Sequence, residues 1–176
     1  MPDDNYIKTK PDFEFALPLI NALQDEMKAA DDFIQKERII IHASSLANEF
    51  CEHNSREFAA FLNLLGETHY YNGLYSAAMC YYQKALDIQE RVLGFSHLDT
   101  AESYNNIGVL YSNLGKFDKS FEYLTKALIV REKLLGPEHI ETAMSFNSIG
   151  VTYIYTGNYD KALEYLSKAV TIQEKL

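Results

Sequence analysis

Basic residues are in short supply. Lysine and arginine number 16 against 25 aspartates and glutamates, for a formal net charge of −9 at pH 7. Phosphate recognition needs a basic face, so a general grip on nucleic acid is excluded and room is left only for a small local basic patch. Most of the acidic surplus falls in the first sixty residues. Cysteine is scarcer still: Cys51 and Cys80 stand alone, with neither metal-ligand spacing nor a CxxC pair. A secreted disulfide scaffold carries more, so both thiols are expected as small buried hydrophobes in a reducing compartment. No run approaches the roughly 18 apolar residues of a membrane span. The N-terminus, MPDDNYIKTKPDFEF, is charged and lacks the apolar centre of a signal peptide. The cytoplasm is therefore the expected compartment, and a membrane is not an expected partner.

What is present is a repeat. Glycines stand at 66, 108 and 150, and again at 73, 115 and 157, both sets with a period of 42 residues. Gly94 and Gly136 form a third pair at that offset, Ala85, Ala127 and Ala169 a fourth column, and Tyr75, Phe117 and Tyr159 a fifth. Self-similarity at a fixed period marks an array of supersecondary units. Each unit predicts two helices. In 103–144, Tyr104, Ile107, Val109 to Tyr111 and Leu114 make one apolar stripe, and Gly115 ends it. Phe117, Phe121, Leu124, Ala127 and Leu128 make the second, and Gly136-Pro137 stops it. Gly108 lies inside the first helix, where glycine costs ~1 kcal/mol against alanine; its recurrence predicts a neighbouring helix too close for a Cβ.

These residues resemble the tetratricopeptide repeat. Tyr104, Ile107, Gly108, Tyr111, Gly115, Phe117, Ser120, Leu124 and Ala127 carry the likeness in one unit, and Phe146, Ile149, Gly150, Tyr153, Gly157, Tyr159, Ala162, Leu166 and Ala169 in the next. The usual unit is ~34 residues; the 42-residue form with KALIVREKLLGPEHIETA is similar to the kinesin-light-chain subclass. The resemblance implies an all-α fold, a right-handed α-solenoid of antiparallel helix pairs, with units at 61–102, 103–144 and 145–176. Residues 1–60 are expected as a helical cap. The same offset places Ile20 under Leu62, Leu23 under Leu65 and Ala43 under Ala85, suggesting a degenerate repeat over 19–60 with helices near 14–30 and 32–53; an unrelated helical hairpin is the alternative. The sequence stops at Glu174-Lys175-Leu176, where a second helix should give way to Leu-Gly-Pro. Either the array is longer or another molecule covers this end. Tyr159, Leu163, Leu166 and Val170 would form that uncovered face, through which self-association is expected.

In this family the first helix of each pair lines the concave groove. By position, the peptide-binding candidates are Asn63, Tyr70 and Tyr71; then Asn105, Asn106, Val109 and Asn113; then Asn147, Val151, Ile154 and Tyr155. The ladder Asn63–Asn105–Asn147 stands out, because an amide can both donate to and accept from an extended peptide backbone. The same amides could instead join helix to helix. Over 61–176 the first helices carry no lysine or arginine, which argues against a clamp for a C-terminal carboxylate and against strongly acidic peptides. A neutral to slightly acidic groove with tyrosine and aliphatic walls follows, suited to a protein or peptide ligand held with weak salt dependence.

No constellation supports catalysis, a metal or a cofactor. His97 and His139 recur as Gly-x-x-His-x-x-Thr and are expected to hydrogen-bond locally at helix starts. His69 replaces the aromatic of Tyr111 and Tyr153 and is expected as a partly buried ring. Glu67 and Glu102 lack a partner at catalytic spacing, and REK at 131–133 suggests a solvated helix face.

Overall fold

The computed structural model of the protein describes residues 18, 22, 25, 38, 39, 41–46 and 54–175. The chain divides into two compact units, Met1–His53 and Asn54–Leu176. In the first, 38, 39 and 41–46 are helical; Ile39, Ala43 and Leu46 are buried, and Ile41 is exposed. Most of the expected helices 14–30 and 32–53, and Cys51, lie outside the described residues.

The second unit holds α1 (Arg56–Tyr71), α2 (Tyr75–Val92), α3 (Leu98–Asn113), α4 (Phe117–Leu135), α5 (Ile140–Tyr155) and α6 (Tyr159–Gln173). They pack as α1 on α2, α3 on α4 and α5 on α6, and the pairs stack through α2–α3 and α4–α5. The result is an all-α solenoid of helix pairs, with no strand among the described residues.

Helix boundaries follow from local chemistry. The first helices start at 56, 98 and 140, ahead of the unit boundaries 61, 103 and 145 that the motif suggested. Their caps explain the difference. Ser55 Oγ accepts from Phe58 N, while His97 Nδ1 accepts from Asp99 N and His139 Nδ1 from Glu141 N. Each satisfies an amide that a helix start leaves orphaned. Thr100 and Thr142 then tie back to the carbonyls of Gly94 and Gly136 at 2.9 and 2.8 Å. The recurring histidines are therefore helix caps, as expected. At the far end, Gly115 takes φ +69°, Gly115 N donates to Ser112 O and Lys116 N to Tyr111 O, at 3.0 and 2.9 Å. This closure of the last carbonyls needs a left-handed residue.

The helix-internal glycines mark close approach. A Cβ on Gly66 would lie 2.5 Å from Tyr82 Cδ1, one on Gly108 2.7 Å from Leu124 Cγ, and one on Gly150 2.7 Å from Leu166 Cγ. Leu166 is accordingly half-buried across Gly150, not part of the open face. That face is formed by Tyr159, Leu163 and Val170, which are 69%, 71% and 49% exposed. Ala85, Ala127 and Ala169 are buried at the matching seams. One further expectation fails: Cys80 is exposed and is not among the buried residues of the α2–α3 core cluster. Over 61–176 the first helices carry no lysine or arginine; α1 starts earlier, at Arg56, which grips Asp99 through two bonds of 2.6 and 3.2 Å.

Candidate functional site

The first helices α1, α3 and α5 lie side by side and leave two adjoining clefts along the groove. One, of about 340 Å³, is walled by Glu67, Tyr70 and Tyr71 of α1, Glu102, Asn105, Asn106 and Val109 of α3, and Met144 of α5, with Tyr82 and Arg131 contributed by the second helices α2 and α4. The other, of about 200 Å³, is walled by Tyr70, by Val109, Ser112 and Asn113, and by Asn147, Ser148, Val151, Thr152 and Tyr155. Tyr70 and Val109 belong to both and join them into one track. The structure thus brings together Tyr70, Tyr71, Asn105, Asn106, Val109, Asn113, Asn147, Val151 and Tyr155. Ile154 is exposed but lines neither cleft.

Asn63 is a correction. It is buried at 5% exposure and serves as the bridge between α1 and α3. Its Nδ2 donates to Ser103 Oγ at 2.7 Å, and Ser103 Oγ lies 2.6 Å from Gln89 Oε1. A hydroxyl has one proton, so Ser103 passes it to the nearer Gln89 and accepts from Asn63. One repeat on, the bridge is rebuilt differently. Arg131 stands where Gln89 stood, and its Nη1 donates to Ser145 Oγ at 2.9 Å. Asn105 is thereby released from Asn63's role. Its Oδ1 is buried without a hydrogen-bond partner among the described residues, and its side chain lines the larger cleft. Asn147 is solvent-exposed in the smaller cleft. The ladder therefore changes function along its length, from helix joint to groove surface.

Sequence reasoning missed two charged lining residues. Arg131 is not on a solvated face: it is 4% exposed and sits in the floor of the larger cleft. Burial draws its guanidinium below the usual range, an effect that Glu141 and Glu102 oppose. The available signal was spacing, because 131 continues the buried α4 stripe of 124, 127 and 128. Glu102 lies before the assumed unit boundary and has no acidic counterpart at 60 or 144. Desolvation by the groove walls, then the nearby Glu67 carboxylate, push its carboxyl above the ordinary value, although the side chain still meets solvent. Glu67 itself accepts from Asn106 Nδ2 at 3.4 Å. Tyr70, whose hydroxyl accepts from Asn113 Nδ2, is likewise raised by desolvation. Among the described residues no helix is long and apolar enough to cross a membrane, and no group of three or more His, Cys, Asp or Glu side chains is placed to hold a metal ion.

A family model for the tetratricopeptide repeat matches residues 57–128 and 99–175, more than half of the chain. Solved structures share the fold. BtubC (BKLC) from P. vanneervenii superimposes with a TM-score of 0.71 at 20% identity, covering 96% of this chain and 76% of that one. A Podosopora anserina protein described as a kinesin light chain with nearly identical TPR-like repeats gives 0.69 at 19% identity, covering 93% and 75%. MamA gives 0.51 at 24% identity, covering 99% and 96%. No curated protein matches the sequence.

Proposed function

Since the chain belongs to the tetratricopeptide repeat family, whose members generally bind other proteins and do not catalyse reactions, we propose that its groove holds a peptide or helix of a partner protein. The observation that carries this reading is the continuity of the two clefts through Tyr70 and Val109. A single track of tyrosine, aliphatic and amide groups offers contact area at low entropy cost together with backbone-directed polar groups. Asn105 and Asn147 are the two ladder positions available to a ligand, one in each cleft.

A neutral hydrogen bond is worth about 0.5–1.5 kcal/mol. The double substitution Asn105→Ala with Asn147→Ala is therefore expected to weaken a selected peptide by about tenfold while leaving helicity unchanged. Calorimetry against a screened peptide, with circular dichroism on the variant, measures both. Unchanged affinity in the folded variant removes the two amides from the mechanism.

A second reading rests on the end face of α6. Tyr159, Leu163 and Val170 project from it largely exposed, and burying such a side chain is worth about 1.5–3 kcal/mol. An assembly role through solenoid ends would show as a molar mass that rises with concentration in light scattering and falls back with Leu163→Glu. A monomer at every concentration argues against it.

A further inference from the structure

The smaller cleft lies where one repeat departs from its neighbours. The last two residues of the first helices are Tyr70-Tyr71 on α1 and Ile154-Tyr155 on α5, but Ser112-Asn113 on α3 between them. Two short side chains thus stand between two bulky pairs, and both line the opening of about 200 Å³. That is below the roughly 300–1,000 Å³ of a small-molecule pocket and on the scale of a single side chain. Ser112 supplies a second, independent observation. It is 6% exposed, and its hydroxyl is buried with no hydrogen-bond partner among the described residues. Other hydroxyls on the first helices turn back on their own backbone: Thr68 Oγ1 donates to Leu64 O, Ser148 Oγ to Met144 O and Thr152 Oγ1 to Ser148 O. Ser112 makes no such bond, so its proton is unspent, and a buried polar group left unmet favours a ligand that completes it. The remaining polar walls offer lone pairs. Ser148 has committed its proton, and Asn113 turns its amide nitrogen to the Tyr70 hydroxyl, which leaves its Oδ1 to accept. No charged side chain lines this cleft among the described residues.

Resting on the groove reading above, we propose that this cleft receives an uncharged carboxamide side chain, glutamine or asparagine, of the partner segment. Ser112 donates to the carboxamide oxygen, while the carboxamide nitrogen donates to Ser148 and Asn113, and the aliphatic stem lies against Val109 and Val151. A carboxamide suits these walls because it carries both an acceptor and two donors without charge. A carboxylate would bring lone pairs to lone pairs, and an ammonium or guanidinium would be buried without a counter-charge. A purely apolar side chain would leave the Ser112 hydroxyl unmet. Serine at 112 is in this way a specificity-determining residue, giving room where the matching positions hold Tyr70 and Ile154 and supplying the donor at the floor.

The test screens the full chain against a bead library of N-acetylated, C-amidated octapeptides, so that no terminal charge confuses the result. The strongest binder is then titrated calorimetrically against the protein and three variants whose folding is checked by circular dichroism. Selected peptides are expected to share a glutamine or asparagine. Replacing it by the acid of the same shape, or by norleucine, is expected to weaken binding about tenfold. Ser112→Ala keeps the room and removes the hydroxyl. It is expected to weaken the parent peptide by about three- to tenfold and to leave the norleucine analogue unchanged. That selective loss separates recognition by the hydroxyl from damage to the fold. Ser112→Ile places the residue of the matching α5 position in the cleft and is expected to weaken both peptides. Tyr71→Ala alters the larger cleft alone, is expected to weaken both peptides too, and tests the groove itself. Binders without a carboxamide overturn the site, as does a carboxamide binder whose parent and analogue respond alike to Ser112→Ala. The groove function then stands if Tyr71→Ala still weakens binding. No binder at all, or one indifferent to both Tyr71→Ala and Ser112→Ile, overturns both.

Discussion

Gly108→Ala is expected to destabilise the protein by about 1–3 kcal/mol, even though alanine is the better helix former by ~1 kcal/mol. The added methyl would lie 2.7 Å from Leu124 Cγ and Cδ2 and 3.1 Å from Leu124 N. The leucine side chain could turn away, but the backbone nitrogen cannot, so α3 and α4 must part. Leu124→Ala, at a fully buried position, is expected to cost about 2–5 kcal/mol through lost burial and a cavity. In combination the two should cost clearly less than their sum, because the shortened side chain makes room for the new methyl. A coupling of roughly 0.5–3 kcal/mol is the range for residues in contact. Urea unfolding of the two single variants and the double completes the cycle. Additive losses would show that the glycine is not there for Leu124.

The second large effect concerns His69. Its ring is 8% exposed, stacks on Tyr81 at a centroid distance of 5.2 Å, and neither nitrogen has a hydrogen-bond partner among the described residues. The matching pairs in later repeats are Tyr111 on Tyr123 and Tyr153 on Tyr165. Leaving buried polar atoms unsatisfied costs about 1–3 kcal/mol, so His69→Tyr, which restores the repeat's own pair, is expected to stabilise the protein by about that much. The gain should grow with acidity. Burial lowers the folded-state pKa of His69 below the ordinary 6.5. The unfolded chain then takes up the proton first, and stability, complete above pH 6.5, declines as pH falls towards the folded value. Thermal melts at pH 7.5 and 5.5 should show the parent losing more than the variant; equal losses would mean that the histidine is protonated equally in both states.

These glycine and tyrosine columns were legible because they are backbone and packing constraints that every repeat must meet. Gly66, Gly108 and Gly150 were read correctly as close-approach sites from recurrence alone, and Gly73, Gly115 and Gly157 as turns. The groove was legible in outline for the same reason, since position along the first helix decides which way a residue faces. The failures arise where equivalent positions do different work. Asn63, Asn105 and Asn147 look identical in sequence, yet the partner at 89 or 131 decides whether the amide is consumed by a helix joint. Arg131 was hidden because a charged triplet suggests water, whereas its spacing from Leu124, Ala127 and Leu128 buries it. Glu102 was hidden by a boundary drawn at the motif and not at the cap. His97 as a helix cap shifted the true start to Leu98 and moved Glu102 into the first helix.

The position shared by 89, 131 and 173 holds Gln, Arg and Gln in turn, and Arg131 lines the larger cleft. It is carried by the outer helix of a pair but, at 131, opens into the inner surface. Part of the groove's polarity is consequently set from an outer helix, beside the Glu67 and Glu102 that the inner helices supply. One exchanged residue on an outer helix is therefore enough to change the charge lining the inner surface, much as a single replaced letter alters a printed line. Under the proposed groove function, selectivity can drift in this way while the asparagines and tyrosines of the inner helices stay as they are.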